Sequence, residues 1–165
     1  MFDILTRGRN LSILFFQEEY MARRTIFSLS LLAALSIPLG AQAISFNSGD
    51  ASLDLTLNSL NVQASADTGS FSADLSVTFG VAQPQIQIWM TQERLQPAEV
   101  FLVLELGRIS SRPPASVIQI YRVNKRKGWG AVAKALGIRP GSPEFKALKG
   151  SAADKDKKWK ARKKK

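Results

Sequence analysis

The acidic side chains best placed for acid–base chemistry are Asp50 and Asp54. On a helix, a spacing of four puts both carboxylates on one face, where one can hold a proton while the other stays ionised. This pattern fits a carboxylate-dependent hydrolase, and it fits equally a pair of acids on a solvated helix face. A serine paired with a lysine near residues 125–134 is a second catalytic candidate.

A third candidate is Glu105, the one acidic residue inside the apolar run of residues 100–106. Its carboxylate either reaches solvent at the rim of the core, pairs with an arginine, or serves as a catalytic acid. These readings remain open at the level of sequence.

The composition excludes several other chemistries. The 165 residues contain no Cys and no His. Thiolate nucleophiles, imidazole triads and metal sites held by Cys or His are therefore excluded. The sequence also has no glycine-rich phosphate loop and no serine-elbow motif. We therefore favour a non-enzymatic protein and expect neither a cofactor nor a metal.

Charge divides the chain into two parts. Residues 44–120 hold three basic and seven acidic residues, whereas residues 121–165 hold sixteen basic and three acidic ones. Clustered cations bind polyanions without sequence preference because they release counterions. The candidate anion contacts are Lys125, Arg126, Lys127, Lys155, Lys157, Lys158 and Lys160.

The partner expected for these cations is an anionic envelope surface or another polyanion. The candidates are the phosphate-rich outer leaflet, anionic phospholipid and extracellular nucleic acid, with Trp159 as an interfacial anchor. The alternative is that the lysine-rich end only keeps the protein dissolved. Residues 151–165 carry eight basic residues, two Asp and one Trp, which predicts a disordered basic tail.

The densest structural signals lie in residues 125–149. Trp129, Val132, Ala133 and Leu136 fall at i, i+3, i+4 and i+7, which predicts a helix with one buried stripe. Gly137 suits the left-handed residue that ends such a helix. The turn that follows leads to an N-cap serine and to a second helix, predicted to be short. The residues of this structural motif are Trp129, Gly130, Leu136, Gly137, Pro140, Gly141, Ser142 and Phe145.

Two helices joined by a turn in basic surroundings also suggest a DNA-binding helix-turn-helix protein. A recognition helix must lay several turns of polar side chains in the major groove. The predicted second helix has about two turns and turns Phe145 and Leu148 inward. We therefore expect no sequence-specific DNA binding and keep this function as an alternative.

The run Lys-Gly-Trp-Gly at residues 127–130, followed by Ala-Lys-x-Leu-Gly-Ile and Pro-Gly-Ser, resembles a motif of small secreted bacterial proteins of unknown function. The similarity extends more weakly back to about Asn47. The resemblance implies an exported helical domain, and it brings no activity and no catalytic residues.

The segment from Asn47 to Ala66 is consistent with either of two structures. Leu53, Leu57 and Leu60 share a helical face behind Asp50 as N-cap, while alternate leucines in the same segment fit a strand. We favour the helix. The fold class expected is mostly α, a compact domain of short helices over residues 44–150. The alternative is α+β with a hairpin within residues 44–82.

Further helices are expected from Pro84, from Pro97 and over residues 115–124. The helix that begins at Pro97 is apolar nearly all round in residues 100–106, so neighbours must bury it on several sides. An interaction module that uses Trp129 or the apolar patch of residues 86–90 is a further functional hypothesis. We favour Trp129 as a core residue because it begins a regular apolar stripe.

Residues 21–43 have the pattern of a secretory signal. Arg23 and Arg24 precede an apolar stretch, and Ala41-Gln42-Ala43 is a cleavage site of the small-x-small kind. The pattern predicts a periplasmic or secreted protein cleaved after Ala43, and an uncleaved N-terminal anchor is the alternative. Residues 1–20 do not fit this plan, so we interpret them as a non-native upstream extension and Met21 as the start.

Overall fold

The computed structural model describes residues 45–162, which contain helices and no strand. The expected mostly α fold is confirmed, and two helices occupy the segment where a hairpin was the alternative. Residues 1–20, the predicted signal and its cleavage site lie outside the described residues. The seven α-helices are α1 (Ala51–Ser65), α2 (Thr68–Phe79), α3 (Gln83–Thr91), α4 (Pro97–Ser110), α5 (Pro114–Asn124), α6 (Trp129–Ala135) and α7 (Pro143–Arg162), with a 3-10 turn at Lys125–Lys127 between α5 and α6.

Aspartates begin the first two helices. The side chain of Asp50 accepts a hydrogen bond from the Leu53 N–H at 2.9 Å, and the side chain of Asp67 accepts one from the Ser70 N–H at 3.0 Å. Each carboxylate satisfies a backbone donor that has no partner within the helix. Gly80 then ends α2 with a φ of 67°, a conformation that glycine adopts without steric cost. The Asp50 cap is the one that the sequence predicts for the first helix.

Helix α4 forms the centre of the domain. Its residues 97–107 are all buried, and it packs against α1, α2, α3, α5 and α7. Pro97 fits the first turn because its missing N–H would have no helical partner there, and the Glu99 carboxylate accepts a hydrogen bond from the Gln96 N–H at 2.9 Å. A helix with apolar residues on every side requires this central position.

The last helix, α7, differs most from the expectation. It runs for 20 residues instead of about two turns, so the predicted disordered tail is wrong for residues 151–162. Its buried stripe continues from Phe145 and Leu148 to Ala152 and Trp159. Because this stripe packs on α1 and α4, the charged segment buries enough surface to remain ordered.

Helices α6 and α7 are joined by a turn, but they pack on different neighbours. The Ile138 N–H donates to the Ala133 carbonyl at 2.9 Å and closes α6, and the Ser142 hydroxyl accepts from the Phe145 N–H at 3.2 Å to begin α7. Helix α6 then packs on α5 and the 3-10 turn, whereas α7 packs on α1 and α4. This arrangement does not favour the DNA-reading alternative. Within residues 45–162, every helix is too short or too polar to cross a bilayer.

Candidate functional site

Trp129 lies in a buried hydrogen-bonded cluster. Its side chain is 3% exposed, and its indole N–H donates to the Glu99 carboxylate at 3.1 Å. The hydroxyl of Tyr121 donates to the same oxygen at 2.9 Å, and the Tyr121 and Trp129 rings stack with centroids 4.6 Å apart. Burial, reinforced by the Glu99 charge, raises the pKa of Tyr121. The tryptophan is therefore a core residue, as expected, and is not available as an interaction surface.

The two glycines beside Trp129 allow the backbone of residues 46–48 to approach closely. The Trp129 and Gly130 N–H groups donate to the carbonyls of Phe46 and Asn47, both at 2.8 Å. A Cβ on Gly130 would lie 2.8 Å from the Ser48 carbonyl oxygen, and one on Gly128 would lie 2.3 Å from the Asn47 Cβ. These contacts explain the Lys-Gly-Trp-Gly run, because only glycine lets the two backbones approach so closely.

The remaining motif residues shape the turn between α6 and α7. Gly137 and Gly141 have φ values of 83° and 86°. Gly137 follows the end of α6, and Gly141 lies in the turn before α7. Leu136 is half-buried against the core and Phe145 is fully buried, while Pro140 lies at the surface beside Gly49. The whole motif is structural.

The two carboxylates of the candidate pair, Asp50 and Asp54, bind different partners in the structure. Asp50 caps α1 and also accepts a hydrogen bond from the Lys149 ammonium at 2.7 Å, and these contacts hold its pKa well below the usual range. Asp54 accepts from the Ser48 N–H at 3.0 Å. Each carboxylate serves a different segment, so the two acids do not share a proton-transfer site.

Glu105 is paired with an arginine. Its side chain is almost completely buried, and Arg108 donates to its two oxygens at 3.1 and 2.6 Å. Within residues 45–162, no serine donates to or accepts from a lysine of residues 125–134, and no three acidic side chains gather as metal ligands. Asp50, Asp54 and Glu105 therefore each have a structural partner.

Three of the four expected anion contacts in α7 form ion pairs within the domain. The ammonium groups of Lys155 and Lys158 lie 2.9 and 2.7 Å from the two oxygens of Asp74 in α2. Lys160 pairs at 2.5 Å with Asp156 one turn earlier. Lys155 and Lys158 join the basic half of the chain to Asp74 in its acidic half. Lys155 is buried and does not face an external anion, whereas the side chains of Lys158 and Lys160 are 56% exposed.

Asp74, which pairs with two lysines of α7, and the buried Trp159 both contribute to the contact between α2 and α7. Desolvation is the largest influence on Asp74 and acts to raise its pKa, but hydrogen bonds from Lys158 and Lys155 lower that pKa to about 2. Trp159 is 3% exposed, and its ring meets Phe71 edge-on with centroids 5.1 Å apart. It is a core residue instead of the expected interfacial anchor.

The cations of the 3-10 turn are different. Lys125, Arg126 and Lys127 are exposed, and none forms an ion pair with any residue from 45 to 162. Val123, two residues before them, is 83% exposed. We call residues 123–127 the basic turn. Other exposed cations of the C-terminal half without an ion pair to a described residue are Lys134, Arg139, Lys146, Lys157 and Arg162.

The apolar patch expected at residues 86–90 does not form a surface. Ile86 and Trp89 are buried in the core and Met90 packs partly against it, which leaves Ile88 exposed by itself. One exposed isoleucine is ordinary for a protein surface.

Comparison with known proteins gives no relative: no protein-family model, no curated protein and no solved structure matches the chain.

Proposed function

We propose that the chain is an exported, non-enzymatic binding protein of the bacterial envelope and that its basic C-terminal half contacts an anionic surface. The observation that carries this proposal is the partition of the cations described above. Three lysines of α7 form ion pairs with Asp74 or Asp156, whereas the basic turn keeps three exposed charges that form no ion pair with a residue from 45 to 162. An exposed cluster of one sign attracts an anionic partner.

The basic turn fits a phospholipid surface better than a nucleic acid. Each Lys or Arg close to an anionic leaflet contributes about 1 kcal/mol. The exposed side chain of Val123 lies beside these cations along the chain, and it would gain about 0.8 kcal/mol for each CH₂ that enters the headgroup boundary. A phosphate backbone offers this apolar side chain no comparable gain.

Vesicle binding by the mature chain, residues 44–165, tests the proposal. Vesicles with anionic phospholipid should bind the chain in a salt-sensitive manner, and vesicles of neutral phospholipid should not. Removing residues 151–165 is not a suitable test because Ala152, Lys155, Asp156 and Trp159 in that segment are buried. Arg126→Gln should weaken binding about fivefold, corresponding to about 1 kcal/mol.

Arg94→Gln is the matched control, since Arg94 is also exposed and without an ion pair among residues 45–162. It should leave vesicle binding unchanged. Equal weakening by both substitutions, or equal binding to neutral vesicles, would contradict the proposal. If the chain binds a DNA duplex of mixed sequence but does not bind anionic vesicles, the partner of the basic turn is nucleic acid.

A further inference from the structure

A cleft of about 400 Å³ opens where α4 ends, between α2 and the start of α5. This volume lies within the range of small-molecule sites, about 300–1,000 Å³. Apolar side chains from three helices and from the loop after α2 line it, namely Phe79, Val81, Leu104 and Pro114. The polar lining includes Arg108, Ser111 and Arg112.

The two arginines of the cleft differ in charge balance. Arg108 is neutralised by Glu105, to which it donates two hydrogen bonds. Arg112 is exposed, and within residues 45–162 no carboxylate pairs with it. The cleft therefore combines an apolar wall with one positive charge that is not balanced locally.

The backbone holds Arg112 in place before any ligand arrives. Its N–H donates to the Gly107 carbonyl at 2.9 Å, and Ser111 has a φ of 54°, the left-handed conformation that closes α4. A Cβ on Gly107 would lie 2.9 Å from the Arg112 carbonyl oxygen, so the close turn depends on this glycine. Pro113 restricts the Arg112 backbone from the other side. The backbone position of Arg112 is therefore set before binding, and only its exposed side chain has to be ordered by a ligand.

We propose that this cleft binds a small amphiphilic monoanion, an alkyl or aryl carboxylate, separately from the basic turn. The carboxylate accepts hydrogen bonds from the Arg112 guanidinium, and the apolar body lies against Phe79, Val81, Leu104 and Pro114. The paired Arg108–Glu105 adds no net charge, so a single negative charge on the ligand balances the site.

Octanoate and uncharged 1-octanol are the probes, titrated into the full chain while backbone amide chemical shifts are recorded. Octanoate should shift the amides of Gly107, Ser111 and Arg112 saturably, and 1-octanol should bind at least about tenfold more weakly because it lacks the charge-assisted contact. Arg112→Gln should weaken octanoate binding by a similar factor and leave thermal unfolding unchanged. Arg94→Gln, at the other end of α4, should bind octanoate as the unmodified chain does.

Three results would overturn the proposal: no saturable shift at these amides, equal affinity for octanoate and 1-octanol, or unchanged affinity in Arg112→Gln. The comparison of the two probes uses the unmodified chain, so it decides the question even if the variant is unstable. Because the amide shifts are assigned to individual residues, binding at the basic turn is distinguishable from binding in the cleft.

Discussion

The ammonium of Lys155 lies 2.9 Å from the carboxylate of Asp74, 81 positions earlier in the chain, and both side chains are 8% exposed. This buried pair joins the last helix to the second. Removing one partner of such a pair leaves a buried charge without compensation.

Asp74→Asn should therefore destabilise the domain by about 3 kcal/mol. The amide keeps the size of the side chain but leaves Lys155 and Lys158 without their counter-charge. Urea denaturation followed by helix content measures the loss. Asp154→Asn, on the exposed face of α7, is the control and should change the free energy of unfolding by less than about 0.5 kcal/mol. Equal effects of the two substitutions would contradict the role assigned to Asp74.

The carboxylate of Asp74 should also make the free energy of unfolding depend on pH in the acidic range. The pKa of Asp74 is lowered to about 2 in the folded chain from 3.8, the usual value for an aspartate, which we take for the unfolded chain. Between these values the unfolded chain binds more protons, so the stabilisation is complete above about pH 4 and is lost as the pH falls towards 2. Other acids, including Asp50 and Glu93, also have lowered pKa values and add to the acid sensitivity.

The difference between the unmodified chain and Asp74→Asn isolates the contribution of Asp74. Denaturation at a series of pH values should show this difference shrinking from pH 4 to pH 2. A difference that stays constant over this range would show that Asp74 has an ordinary pKa in the folded protein.

Two glycines should respond in opposite directions to alanine. Gly130→Ala places a Cβ 2.8 Å from the Ser48 carbonyl and should cost about 1–3 kcal/mol, whereas Gly150 in α7 has open space around it. Gly150→Ala should therefore stabilise the helix by about 0.5–1 kcal/mol. Thermal unfolding of both variants tests the prediction, and destabilisation by both would show that α7 tolerates no added side chain at Gly150.

Truncation should distinguish a structural last helix from a tail. A chain that ends at Gly150 loses Ala152, Trp159 and the lysines that pair with Asp74. Since deleting one buried tryptophan side chain costs about 3–5 kcal/mol, we expect most of the stability to be lost. A chain that ends at Arg162 is the control and should unfold like the longer one. If the two truncated chains have equal denaturation midpoints, residues 151–162 do not stabilise the domain and are a tail.

Local signals in the sequence were sufficient for several helix starts. Asp50, Pro97 and Ser142 each mark a helix start because a cap or a first-turn proline depends only on nearby residues. The stripe from Trp129 likewise predicted its own burial. These features need no knowledge of distant partners.

Long-range pairing could not be predicted in this way. The lysines of α7 resemble solvated charges until Asp74 is placed beside them, and that aspartate lies in another helix. The spacing of Leu148, Ala152 and Trp159 was the signal for a continued buried face, but the charge density outweighed it. The glycines beside Trp129 were also unexplained, since the segment of Phe46 and Asn47 is distant in sequence.

Helix α7 packs on α1, the Lys149 ammonium contacts Asp50, and Trp129 bonds to the backbone of Phe46. Among residues 45–162, the last helix therefore covers the first one. The contact between Lys149 and Asp50 spans 99 positions, so a long stretch of chain must close into a loop before the core is complete. Folding is slowed by contacts of this sequence separation because the entropy of loop closure is lost before they form.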